Sequence, residues 1–261
     1  MLNRFREAKA MEIAQLRELA ERGAMPRPWY GHRPSFSARL RGRGPGALIA
    51  EYKRASPSMG HINGTLLPRD AASLFEENGA AAMSVLTEET FFKGDFAFLG
   101  ACAGHGLPLL RKDFLFDPLQ VDATASSPAS ALLLIVRMFP DVDALAAMIQ
   151  RATALELEAV VEIFDEQDLA SARLAGAGII QVNARDLDTL EVDRGNIERL
   201  AARRGAGEVW IAASGVSEPS QVRSAAAMGY DAVLVGTAIM ADPDPGSVVR
   251  SLARAGGPEV S

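Results

Sequence analysis

The feature that most constrains this chain is an eightfold alternation. Short, mostly apolar runs recur at 47–53, 81–86, 107–111, 131–136, 158–163, 178–183, 208–213 and 232–236. Between them lie stretches with helical spacing, among them 70–78, 141–154, 166–175 and 219–228. Continuous apolar runs of this length read as strands buried on both faces, the property of a parallel sheet covered by helices. Eight β-α alternations in about this length predict an α/β fold, the (β/α)8 barrel. A doubly wound open sheet is the alternative, but it would place a Gly-rich turn after the first strand. The segment Arg41-Gly-Arg-Gly-Pro-Gly46 instead precedes that strand and is interrupted by Pro45.

No low-complexity linker divides the repeats. The expectation is one domain, a barrel over 47–261 with an N-terminal helical extension over 1–46. Residues 2–22 read as an amphipathic helix with Ile13, Leu16 and Leu19 along one side. Residues 23–45 read as a connection with one short helix near Phe36 to Leu40. Asp141 and Ser217 are expected helix caps, and Gly79, Gly176 and Gly229 fall where helices should stop.

Composition excludes several function classes. The 261 residues carry a formal net charge of −6, which argues against a nucleic-acid surface. No apolar run is long enough to span a bilayer. The single cysteine, Cys102, cannot form an internal disulfide and is expected as a small buried residue on a helix over 96–103. The N-terminal stretch lacks the apolar core of a secretory signal, so the expected compartment is the cytoplasm.

In a barrel of this kind the active site forms at the C-terminal ends of the strands. The first run ends in Glu51 and Lys53, two residues apart and therefore projecting the same way. Polar groups stand at later ends too: Lys112 after Arg111, Glu162, Asn183 with Arg185, Ser214-Gly215, and Gly236-Thr237. The last two pairs fall at strands seven and eight, where glycines and a short following helix suit a phosphate.

The motifs Glu51-Tyr-Lys-Arg-Ala-Ser-Pro-Ser, Ser84-Val-Leu-Thr-Glu-Glu, Phe92-Lys-Gly, Leu110-Arg-Lys-Asp-Phe, Val161-Glu162, Asn183-Ala-Arg-Asp-Leu and Ser214-Gly-Val resemble the indole-3-glycerol phosphate synthase family, in order and along nearly the whole chain. The resemblance implies a carbon–carbon lyase of tryptophan biosynthesis. It would close the pyrrole ring of 1-(2-carboxyphenylamino)-1-deoxyribulose 5-phosphate with loss of carbon dioxide and water, using no metal and no organic cofactor. By matching position Lys112 is the general acid and Lys53 binds the substrate carboxylate and helps expel the hydroxyl. Glu51 and Glu162 are the carboxylates that take protons or stabilise cationic character, and Asn183 orients the substrate. Phe92, Phe114 and Leu133 pack the anthranilate ring. Ser56, Ser214, Gly215, Gly236 and Thr237 hold the phosphate, and Arg185 fixes the carboxylate network. The implied partner is a phosphorylated small molecule, with no nucleic acid or membrane, and the expected assembly is a monomer or weak homo-oligomer.

The chain also departs from the family pattern. Ala213 stands where a Glu is usual before Ser214-Gly215. Ala184 replaces Asn or Ser, Ala123-Thr124-Ala125 replaces Glu-Ala-Arg, Pro128-Ala129-Ser130 replaces Gly-Ala-Asp, and Tyr52 replaces an aliphatic residue. These departures leave two alternatives beside the main reading: a paralogue acting on a modified anthranilate-derived phosphate, and a silent barrel that binds a phosphometabolite. Phosphoribosylanthranilate isomerase is disfavoured, because its cysteine base would end strand one.

Overall fold

The computed structural model describes residues 2–185 and 191–257. Asp186 and Leu187 of the sixth-strand motif, and the last four residues of the expected barrel, lie outside the described residues. Eight strands form a closed barrel: β1 Ala47–Tyr52, β2 Ala82–Leu86, β3 Leu109–Lys112, β4 Ala131–Ile135, β5 Glu158–Ile163, β6 Ile179–Asn183, β7 Val209–Ala213 and β8 Ala232–Val235. Every neighbouring pair is parallel, and β8 returns to β1 with Ala47 opposite Ala232. A short antiparallel ribbon, Ala55–Ser56 with Gly60–His61, follows β1.

The alternation of side chains along each strand divides the core in two. Leu48, Ala50, Tyr52, Met83, Val85, Leu132, Leu134, Ile180, Val182 and Trp210 face the surrounding helices. Ile49, Ala82, Leu110, Leu133, Val160, Ile179, Ile211 and Leu234 fill the barrel interior. This two-sided burial is why the strands read as nearly unbroken apolar runs. The helices are α1 Leu2–Glu21, α2 Phe36–Arg43, α3 Pro68–Glu77, α4 Glu89–Phe92, α5 Ala97–Ala101, α6 Pro118–Ala125, α7 Val142–Ala154, α8 Glu166–Leu174, α9 Arg194–Ala201, α10 Pro219–Ala227, α11 Thr237–Met240 and α12 Pro245–Ala255. Among the described residues no helix is long and apolar enough to cross a membrane.

Several expected boundaries shift, and proline explains three of them. α3 begins at Pro68 rather than Asp70, because a proline at the first helical position has no N–H to leave unpaired. Ser217 is not the cap of α10. Glu218 takes that position ahead of Pro219, and Gln221 Oε1 accepts from the backbone N–H groups of Ser217 and Glu218 at 2.7 and 3.1 Å. β3 begins at Leu109, after Pro108, and extends to Lys112. Asp141 caps α7, its carboxylate accepting from Ala144 N at 2.8 Å. Gly79, Gly176 and Gly229 stop helices in the left-handed region, as expected.

Residues before β1 reach both ends of the barrel. At the floor, α2 buries Phe36 and Leu40 completely, each contributing about 1.5–3 kcal/mol. Glu158, at the start of β5, pins the first turn of α2, accepting from Phe36 N at 2.6 Å and Ser37 N at 3.1 Å. At the opposite mouth, α1 buries Phe5, Lys9, Ile13 and Leu16 along one stripe. Ile13 and Leu16 are as expected, whereas Leu19 is half-buried and the stripe continues towards the N-terminus instead. The connection between the two helices lies against the end of α6, with Trp29 N donating to Ala125 O at 2.8 Å and Arg33 Nη2 to Ser127 O at 3.0 Å.

Candidate active site

A cavity of about 500 Å³ opens at the C-terminal ends of the strands, and all fourteen residues expected at the site line it. Glu51 and Lys53 leave β1 on the same side, and Lys53 Nζ meets Glu51 Oε1 at 3.0 Å. Burial pushes the Glu51 carboxyl up, but the ammonium groups of Lys53 and Lys112 outweigh it and hold the group below the usual carboxylate range. Glu51 is therefore ionised, compensated by two lysines from different strands. Gly236, at the end of β8, makes room for it. A Cβ there would lie 2.3 Å from Glu51 Oε1 and 3.0 Å from its Cβ. This glycine thus serves the carboxylate as well as lining the expected phosphate rim.

β3 delivers Lys112 to the cavity and directs Arg111 away from it. The buried Arg111 guanidinium donates to Thr87 Oγ1, Thr124 Oγ1 and Glu12 Oε1 at 3.2, 3.0 and 2.9 Å. Asp113 binds it from the next turn at 3.1 Å and also receives Lys9 Nζ at 2.8 Å. Burial would raise the Asp113 carboxyl, but Arg111 and Lys9 hold it below its ordinary value. Through Lys9 this ion network docks α1 onto the segment that carries Lys112. α1 in turn brings Phe5 into the cavity, stacked on Phe114 with ring centroids 3.8 Å apart. Phe92 stands 6.2 Å from Phe114. Its turn is fixed by Glu88, which accepts from Phe91 N at 2.7 Å and Phe92 N at 3.1 Å. Leu133 and Ile135 of β4 complete an apolar wall beside the lysines.

Glu162 of β5 accepts a 2.5 Å hydrogen bond from Gln181 Nε2 on the adjacent strand. At the end of β6, Asn183 Oδ1 accepts from Ser214 Oγ at 2.8 Å and Arg185 N at 2.9 Å, so its orientation is set from two sides. Ser214 itself has φ 68, a left-handed conformation held for a non-glycine residue. Ser56, Ser214, Gly215, Gly236 and Thr237 all line the cavity, as does Arg194. The space a Gly215 side chain would need is filled by Val192 and Arg194, whose Cγ1 and Cγ lie 2.9 and 3.4 Å from such a Cβ.

Sequence reasoning did not single out Phe5 and Arg194, which line the cavity, or Gln181, which is buried behind Glu162. Phe5 had a signal, since it lies eight residues before Ile13 on the same helical stripe. Gln181 also had one, a polar residue inside an apolar run and two before Asn183, hence on the same face. Arg194 had none, because the connection after β6 and not periodicity seats it. Of the departures, Ala213 alone lines the cavity. Tyr52 faces outward, its hydroxyl donating to Leu66 O at 2.8 Å. Ala184 and Ala125 belong to the layer between strands and helices, and Thr124 serves Arg111 behind the wall. Cys102 is buried at the end of α5, where burial pushes its thiol up to about 12. Among the described residues no three His, Cys, Asp or Glu side chains converge as a metal site would require.

A family model described as indole-3-glycerol phosphate synthase matches residues 2–252. The chain is 43% identical to the indole-3-glycerol phosphate synthase of Mycobacterium leprae (strain Br4923), over 82% of this chain and 79% of that one. It is 41% identical to indole-3-glycerol phosphate synthase 1 of Streptomyces coelicolor (strain ATCC BAA-471 / A3(2) / M145), over 95% of this chain and 91% of the relative. Among solved structures, a 3-hexulose-6-phosphate synthase superposes with a TM-score of 0.63 at 16% identity, covering 80% of this chain and 99% of that one. At that identity the likeness speaks for the barrel alone.

Proposed function

The chain belongs to the indole-3-glycerol phosphate synthase family, and from that premise we propose that it converts 1-(2-carboxyphenylamino)-1-deoxyribulose 5-phosphate to indole-3-glycerol phosphate. The observation that carries this reading is the pair of ammonium groups, Lys53 and Lys112, that together hold Glu51 ionised in a cavity also lined by Phe92 and Phe114. Lys112 is the general acid. It protonates the ketone oxygen as the aromatic carbon attacks the carbonyl carbon, which spares the site a naked alkoxide. The carboxylate then leaves as carbon dioxide, its bonding electrons restoring the aromatic ring. Lys53 binds that carboxylate first and afterwards helps the hydroxyl depart as water. The last step breaks a C–H bond next to the ring nitrogen. The electron pair becomes the new double bond, and a carboxylate takes the proton.

Glu162 suits that final role better than Glu51. Glu51 is a weakened base because two lysines stabilise its ionised form, whereas Glu162 is hydrogen-bonded by a neutral amide. Asn183 orients the substrate and Arg185 stands beside it. Phe92, Phe114 and Leu133 take the anthranilate ring, with Phe5 added from α1. Ser56, Ser214, Gly215, Gly236 and Thr237 hold the phosphate, and the same reading puts Arg194 at that rim. It also assigns the protein to the cytoplasm as a monomer or weak homo-oligomer.

A second reading keeps the chemistry and changes the ring. Ala213 is short where it lines the cavity, leaving space for a substituted anthranilate. The purified protein incubated with the anthranilate-ribulose phosphate should develop indole fluorescence and release one carbon dioxide per product. No product at high enzyme concentration would sink the synthase assignment, and product only from ring-substituted substrates would favour the second reading.

A further inference from the structure

We propose that Gln181 is a positioning residue for Glu162, an amide able to serve that carboxyl group in both of its protonation states. The inference rests on the reading in which Glu162 accepts the final C–H proton. Glu162 and Gln181 are register partners on β5 and β6, and both are buried, Gln181 completely. Gln181 Nε2 donates to Glu162 Oε2 at 2.5 Å. Its other end, Oε1, is buried with no hydrogen-bond partner. On β7 its register neighbour is Ile211, which has no donor to give.

A buried amide oxygen left unpaired is costly, so its retention needs a reason. An amide end that donates and an end that accepts are exchanged by a half-turn about the last side-chain bond. The orientation in the structure, Nε2–H towards Glu162, is the one a carboxylate that can only accept requires. Once Glu162 has taken the proton, the half-turn puts Oε1 against the new O–H, which then donates to it. The unpaired oxygen is the acceptor held for the protonated state. The proton comes from the breaking C–H bond, whose electron pair stays in the ring, so the step needs no oxidant or further reactant.

Other charged groups share the cavity with Glu162: Glu51 and Lys53 from β1, Glu88 after β2, Lys112 and Asp113 from β3, and Arg185 and Arg194 after β6. A test must therefore isolate the amide. Gln181→Met removes both hydrogen-bonding ends at nearly constant volume, and Gln181→Glu places a second carboxylate against Glu162. Each is measured against wild type in two ways. One is the pH dependence of kcat and KM on the anthranilate-ribulose phosphate. The other is the 13C titration of the Glu162 carboxyl in glutamate-labelled protein, assigned by its loss in Glu162→Gln.

A hydrogen bond to the ionised form outweighs one to the neutral form, so losing the amide should raise the midpoint. In Gln181→Met the acid limb of kcat and the carbon titration should both move up by about one pH unit. Turnover should fall about tenfold with KM little changed. Gln181→Glu should move the midpoint further in the same direction, and it stands in should the Met variant not fold. An unmoved midpoint in the folded variants overturns the inference, since a purely structural glutamine would alter stability alone. Should wild type show no turnover, the proposed function falls, and the carbon titration still decides the role of Gln181.

Discussion

Gly236→Ala separates two demands that meet at one residue. The backbone there has φ −121, outside the left-handed region that favours glycine. The cost is steric and falls on one partner. The added Cβ would lie 2.3 Å from Glu51 Oε1 and 3.0 Å from Glu51 Cβ and Cδ. Strand β1 fixes the Glu51 backbone, so the carboxylate itself must swing aside by about 1 Å. That breaks or lengthens its 3.0 Å contact with Lys53 Nζ in a site where Glu51 is only 4% exposed. Loss of a charge-assisted hydrogen bond costs about 1.5–3 kcal/mol, and overpacking about 1–3 kcal/mol. Urea unfolding should show stability reduced by about 2–3 kcal/mol. A 1 Å displacement of a reacting group lowers rates about 10²-fold, so kcat should fall by that order with KM nearly constant. In a Glu51→Ala background the same glycine substitution should change kcat less than about threefold, because the carboxylate is gone and only the 3.0 Å contact with the residue 51 Cβ remains. The reasoning is refuted if the penalty persists in that background, or if KM alone rises, which would make Gly236 a residue of the phosphate rim only.

Lys112→Ala should lower turnover by about 10²–10⁴ while the circular dichroism spectrum stays unchanged, and unaltered turnover would remove Lys112 from the chemistry. Lys9→Met should destabilise by about 2–3 kcal/mol, below the usual 3–5 for a broken buried pair, because Arg111 and Thr87 still bind Asp113. Asp113 is held below its unfolded value, so its contribution is present above about pH 4 and lost as pH falls through the folded value. Lys9→Met should therefore begin acid unfolding at higher pH than wild type, followed by near-ultraviolet circular dichroism. Phe5→Ala should raise KM more than it lowers kcat, since its ring walls the cavity and touches no proposed proton transfer. Equal losses in both would contradict that division.

The barrel and the polar strand ends were legible because both follow from period. Two-sided burial gives runs such as Ala131–Ile135, and the two-residue repeat puts Glu51 and Lys53 together. What period does not encode was harder to read. Lys9 looks like one more charge on a polar helix until Asp113, 104 residues away, makes it a buried ion. Gly236 reads as a turn or phosphate residue, because nothing local says that Glu51 occupies its side-chain space. Gln181 obeys the same-face rule with Asn183 but was hidden inside an apolar run. The departures at Tyr52, Ala184 and Ala123-Thr124-Ala125 could not be weighed from sequence. Their consequence depends on which side of a strand or helix they face, and the fold turns them away from the cavity.

The straddling of both mouths by residues ahead of β1 also sets an order in time. Arg41 reaches Gly207 across 166 residues, Arg6 reaches Met138 across 132 and Lys9 reaches Asp113 across 104. These seats do not exist until strands far along the chain have paired. Closing such long loops costs entropy that only a formed partner repays, so this segment, ahead of the barrel in the chain, is among the last to dock. The barrel can therefore be shut and well packed before Phe5 reaches Phe114. During refolding, recovery of activity should lag behind burial of Trp210 in the wall.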